Sequence, residues 1–210
     1  MAVSTDDLRA AGDLAHRTLF PMVDADWYGA AGSLDWDCRR TLDHLANTLL
    51  FYSVHLAERA SQRVPYVRDG SPDTVSIAGL LGAMHGSAFI LAAVADGAEG
   101  VRAFHPAGLA DAEGFVAMGC DEVLVHSFDL ACGLGVDYMP PDDLVSRVVA
   151  RLFPWAPNDD DPWTALLWAN GRVAREDAAR LAPDWSWHCA PLSEWDGVTT
   201  PRWVPGSADG

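Results

Sequence analysis

The sequence predicts an all-α protein organised as a four-helix bundle. Three observations carry this. Apolar residues recur at three- and four-residue spacing in four long segments, each opened by a capping residue. The fourth segment, from about Asp111 to Gly133 or Gly135, is apolar almost all round and therefore belongs inside. Residues 62–73 separate the second segment from the third, too long a connection for a tight helical hairpin and suited to a crossover.

Ser4, followed by Thr5, Asp6 and Asp7, reads as an N-cap with acids in the first turn, opening a helix to about Phe20 with Leu8, Ala11, Ala15 and Leu19 inward. A loop with Asp24, Asp26, Trp27, Gly29, Gly32 and Trp36 follows. Asp37 caps a second helix, Cys38 to about Ser61, whose core stripe is Leu42, Ala46, Leu49, Leu50 and Leu56. Its other side carries Arg40, Thr41, His44, Asn47, Thr48, Phe51 and His55, which is either a solvated face or the polar wall of an internal site.

Asp73 or Thr74 is expected to cap a third helix running to about Asp96, with His85 as a satisfied core residue. A loop through Phe104-His105-Pro106-Ala107-Gly108 then leads to the fourth helix. A fifth helix starts at Pro140-Pro141-Asp142-Asp143 and ends near Phe153, and a short one spans Trp163 to Asn170, closed by Gly171. The acidic run Asn158-Asp159-Asp160-Asp161 is explained as the start of that short helix better than as a cation site. Residues 1–155 form the bundle; 156–210 are an extension whose tryptophans, Trp185, Trp187, Trp195 and Trp203, pack over it.

Within the fourth helix, Glu122 and His126 are four residues apart and so share a face, with Asp129 one turn further on. An exposed pair of this spacing is an ordinary ion pair worth a few tenths of a kcal/mol. In an apolar stripe with Phe115, Met118 and Val125, however, a carboxylate is costly unless paired or metal-bound. Glu-x-x-x-His is also how a buried helix offers two ligands to one ion. The third ligand would come from the second helix, from His44 or from its competitor His55.

Composition bounds the function. A formal charge of −16 argues against nucleic acid and anionic membrane as partners. All 14 basic residues are Arg, which with the abundance of Ala, Asp and Gly suggests a GC-rich genome. Cys38, Cys120, Cys132 and Cys189 show no CxxC spacing and read as reduced thiols in the core. The N-terminal residues lack a targeting pattern, and the apolar run at 75–95 is broken by His85 and glycines, so a cytoplasmic protein is expected.

Trp36 ahead of Arg40-Thr41-Leu42-Asp43-His44-Leu45-Ala46, the segment Asp121-Glu122-Val123-Leu124-Val125-His126-Ser127-Phe128-Asp129-Leu130, and Arg151-Leu152-Phe153-Pro154-Trp155-Ala156-Pro157 together resemble the DinB/YfiT-like metalloproteins. The branch most resembled is the actinobacterial mycothiol-dependent maleylpyruvate isomerase N-terminal domain, over about residues 5–155. That resemblance implies a divalent metal, usually zinc, held by His44, Glu122 and His126. Nickel, iron or manganese would also suit two His and a Glu. It implies mycothiol as the thiol cosubstrate of an S-transferase or isomerase acting on a small electrophile, in a monomer or homodimer. The recognised isomerases carry a further C-terminal domain that residues 156–210 do not resemble, so S-transfer is the better expectation. Asp129 is a candidate second-layer partner of a ligand, and Arg40 a candidate to pair with a thiol or substrate carboxylate. A metal-dependent hydrolase of a small amide or ester, and a non-catalytic metal-binding or stress-associated protein, are the alternatives.

Overall fold

In the computed structural model, which describes residues 2–65, 70–156, 161–176, 179–181 and 187–198, helices dominate. They are α1 (Thr5–Leu19), α2 (Cys38–Glu58), α3 (Ile77–Asp96), α4 (Ala112–Leu134), α5 (Asp142–Leu152) and α6 (Pro162–Ala169). Between α3 and α4 lies a two-stranded antiparallel hairpin, β1 (Arg102–His105) and β2 (Gly108–Asp111), where the sequence suggests only a loop. The hairpin is short and alternating: Ala103 and His105 point inward on β1, Ala110 on β2.

Helix starts follow local chemistry. Ser4 and Asp7 form a reciprocal capping box on α1, Asp37 caps α2, Asp111 caps α4, and Asp161 caps α6 ahead of Pro162. The left-handed Gly135 closes α4. The third helix starts later than expected. Val75 N–H bonds the Pro72 carbonyl in a turn, and Ser76, not Asp73 or Thr74, accepts from Gly79 N–H. Arg59, in the left-handed region, ends α2 at Glu58, short of Ser61.

α4 packs against α1, α2, α3 and α5, and one continuous core forms around it, with Phe115, Val116, Met118, Val123, Leu124 and Leu130 all buried. After residue 155, Trp163, Leu166, Leu167 and Trp168 of α6 join that same core. Trp187 is packed against it as well, whereas Trp185, Trp203 and residues 158–160 of the acidic run lie outside the described residues.

Four expectations are corrected here. Leu50 is 38% exposed, because it sits at the edge of α2. Cys132 is exposed near the end of α4, unlike the buried Cys38, Cys120 and Cys189. His85 is a half-buried surface residue bonded to Asp13 Oδ1 at 2.8 Å, with no place in the core. Finally, α3 is long and apolar enough to cross a membrane by length and composition, since His85 and the glycines do not break the helix; one side of it packs on α1 and α2.

Candidate metal centre

The centre lies where α2 crosses α4. On α2, His44, Thr48 and Tyr52 follow one another at four-residue steps and so share one face. On α4, Glu122 and His126 stand opposite them. His126 Nε2 is 3.3 Å from Glu122 Oε2, and His44 Nε2 is 4.0 Å from the same oxygen. All three donor atoms fall within 4.8 Å of one another. Zinc bonds of about 2.0–2.2 Å would span the two shorter separations. Two nitrogens and one oxygen are a donor set suited to zinc and its first-row neighbours, so the residues present fit a divalent ion.

Each α4 member of the triad has its remaining polar atom occupied. Tyr52 donates its hydroxyl to Glu122 Oε1 at 3.0 Å, leaving Oε2 facing the two imidazoles. His126 Nδ1 lies 3.1 Å from Asp129 Oδ2, which leaves Nε2 on the ligand side. Asp129 is in turn gripped by Arg172, with Nε 3.0 Å from Oδ1 and Nη2 2.9 Å from Oδ2. A carboxylate behind a ligand imidazole fixes its tautomer and ring plane, and the forked guanidinium fixes the carboxylate.

The electrostatics of the metal-free centre follow from this packing. Burial pushes Glu122 up, but the His126 and His44 imidazoles and the Tyr52 hydroxyl outweigh it and hold the carboxyl down at about 2. Burial works against a charged His126, yet Asp129 and Glu122 on either side raise it to about 9. His44 is lowered, chiefly by burial. Tyr52 is raised well above the usual phenol range, first by burial and then by the Glu122 charge, so it stays a donor.

A loop seals one flank. Gly133 on α4 leaves room for it: a Cβ there would stand 2.5 Å from both the Ala30 carbonyl oxygen and Cys38 Sγ. Seated on α4, the loop places Trp36 edge-on to His44, ring centroids 5.0 Å apart. Arg40 lies over the Trp36 ring at 4.5 Å, on the rim beside the triad without touching it. The other flank is open, for the His44 side chain is 38% exposed against 11% for Glu122 and 12% for His126.

Of the two candidate histidines on α2, only His44 reaches the pair. His55 is fully buried elsewhere, its Nδ1 2.8 Å from the Phe51 carbonyl and its Nε2 accepting from Val64 N–H at 2.9 Å. Thr41 is also turned away, donating to the Asp37 carbonyl. Sequence reasoning missed Tyr52, although its spacing of eight from His44 marks the shared face, and missed Arg172, which no local pattern singles out. It also missed buried His105, which stacks edge-on with Tyr52 at 5.4 Å and is lowered to about 4, mainly by burial. A cleft of about 460 Å³ lies apart from the triad, between the Ala25–Tyr28 loop, Arg39 and Asp73–Ile77.

No protein-family model matches the sequence, and neither a curated protein nor a solved structure matches the chain.

Proposed function

We propose that the chain is a divalent-metal enzyme of the DinB/YfiT type, binding zinc through His44, Glu122 and His126. Its expected reaction is S-transfer from a low-molecular-weight thiol, such as mycothiol, to a small electrophile. The observation that carries the reading is the asymmetry of the triad. The two α4 members of the triad are held from behind, Glu122 by Tyr52 and His126 by Asp129 with Arg172, while the side at His44 is open. Structural zinc sites close all four positions with protein, whereas catalytic ones leave a place for water or substrate.

When bound, the ion would lower the pKa of a thiol and hold its thiolate at neutral pH. The chain's own residues supply the rest. Asp129 would hold the His126 proton on Nδ1, leaving the Nε2 lone pair for the ion. Tyr52 donates to the outer Glu122 oxygen and leaves the inner one to face the imidazoles. Trp36 walls one side of the opening, and the guanidinium of Arg40 stands at its rim, placed to meet a carboxylate on the thiol or the electrophile.

The test is the metal content of untagged protein purified without chelator, beside Glu122→Ala and His126→Ala. About one ion per chain is expected in the wild type and loss in both variants, since each removes one of three ligands. Conjugation of mycothiol to a fluorogenic electrophile should then track metal occupancy. A wild type that is metal-free and cannot be reloaded sinks the reading. Full occupancy with thiol-independent turnover of an amide or ester moves the chemistry to hydrolysis.

A further inference from the structure

We propose that the Thr48 hydroxyl binds the ligand in the open position of the centre, donating a hydrogen bond to an anionic sulfur or oxygen held there. This rests on His44, Glu122 and His126 being metal ligands, and it adds a residue that touches what they bind.

A hydroxyl inside a helix commonly turns back onto the carbonyl four residues earlier. Of the three Ser and Thr residues in α2, two do so. Thr41 donates to the Asp37 carbonyl at 2.9 Å, and Ser53 to the Leu49 carbonyl at 2.8 Å. Thr48 departs from them. Among the described residues its hydroxyl has one hydrogen-bond partner, His44 Nε2 at 3.4 Å.

That partner is the nitrogen that faces Glu122 and would ligate the ion. Whichever of the two donates in the metal-free chain, a ligating Nε2 carries no proton and has its lone pair on the metal. It can then neither give to Thr48 nor accept from it. At 3.4 Å the contact is also well beyond the roughly 2.8 Å usual for a hydroxyl donor, so little is lost when it goes. The hydroxyl is left half-buried, beside the centre, with a proton to give.

Position and charge name the acceptor. At zinc bond lengths and tetrahedral angles, two ligands of one ion stand about 3.2–3.5 Å apart. A fourth ligand would therefore lie about as far from His44 Nε2 as Thr48 Oγ1 does. The other polar groups around the triad are engaged: Tyr52 with Glu122, Asp129 with His126 and Arg172. An anion in the open position would face the Glu122 carboxylate, and a neutral donor beside it offsets that repulsion without adding charge.

Cobalt-loaded protein tests this by absorption, which reports both uptake of the ion and arrival of an anion on it. Wild type, Thr48→Val and Thr48→Ser are titrated with 2-mercaptoethanol and, separately, with azide. Cobalt affinity and helical circular dichroism should be the same in all three. In Thr48→Val the dissociation constants of both anions should rise about tenfold or more, the loss expected for a hydrogen bond to a charged group, and Thr48→Ser should restore them. A folded Thr48→Val that binds both anions as the wild type does overturns the proposal. So does one whose cobalt affinity falls by the same factor, which would make Thr48 a support for the His44 ring. A wild type that takes up neither cobalt nor zinc sinks the ligand assignment and the role of Thr48 with it. Azide binding that weakens in Thr48→Val while no thiol binds any of the three keeps that role and removes the thiol from the proposed reaction.

Discussion

α3 and α4 are the two most apolar long helices of the chain, and they use that character in opposite ways. α3 has no charged side chain before its terminal Asp96, yet only eight of its 20 residues are buried. α4 carries Asp121, Glu122, His126 and Asp129, yet 15 of its 23 residues are buried. Apolarity alone does not decide which helix goes inside. α4 occupies the centre because its polar groups arrive with partners: Asn170 on Asp121, Tyr52 on Glu122, Arg172 on Asp129. A buried ion pair contributes little over an apolar equivalent, but half of one is severely destabilising.

The largest effect in that comparison should come from taking one partner away. Arg172→Met leaves the Asp129 carboxylate, 1% exposed, with only His126 to answer it. We expect a loss of roughly 3 kcal/mol in urea denaturation of the metal-free protein, the range found when one member of a buried pair is removed. A change under about 0.5 kcal/mol, the size typical of a surface site, would mean that the carboxylate is solvated and that α4 is not the buried partner it is described as.

The same network sets a pH dependence with a definite sign. His126 rises to about 9 in the folded, metal-free chain, so its contribution is complete below about 6.5 and is lost as pH climbs through 9. Asp121, lifted to about 7 by burial and by neighbouring Glu122, is stabilising while protonated and works in the same direction at lower pH. Glu122, held at about 2, loses its contribution only in strong acid. Chelator-treated protein should therefore be more stable at pH 5.5 than at pH 9. Metal uptake at pH 7 should release about one proton, which calorimetry in buffers of different ionisation enthalpy would register. Chelated stability that rises between pH 7 and 9 would contradict the placement of His126 between two carboxylates.

What the sequence makes legible divides along the same line. Caps such as Ser4 and Asp37 act within three residues, and both are found where the sequence puts them. The Glu122/His126 spacing and its apolar setting are equally local. The α3 start is ambiguous in the sequence because Asp73, Thr74 and Ser76 all suit a cap, and only the turn from Pro72 to Val75 selects the last. The β1–β2 strands have four residues each, and their buried positions, Ala103, His105 and Ala110, do not stand out as an apolar/polar alternation in the sequence. Arg172 lies 43 residues from Asp129 and Tyr52 lies 70 from Glu122, so which buried charge finds which partner is a tertiary fact with no local trace.

The smallest effect separates the two helices most cleanly, because one substitution should carry opposite signs. Gly119→Ala on α4 places a methyl 2.8 Å from Leu91 Cδ2 and 3.2 Å from Leu8 Cδ1. Overpacking of that kind costs about 1–3 kcal/mol, more than the roughly 1 kcal/mol that alanine returns in helix propensity. Gly86→Ala on α3 meets nothing in the single chain and should keep that gain, up to about 1 kcal/mol in dilute solution. Denaturation of both variants at low concentration measures the pair. A loss at Gly86 would mean that this side of α3 is covered and not open as its surroundings imply. A gain at Gly119 would mean that Leu8 and Leu91 can yield, and that the seam between α1, α3 and α4 is looser than its distances imply.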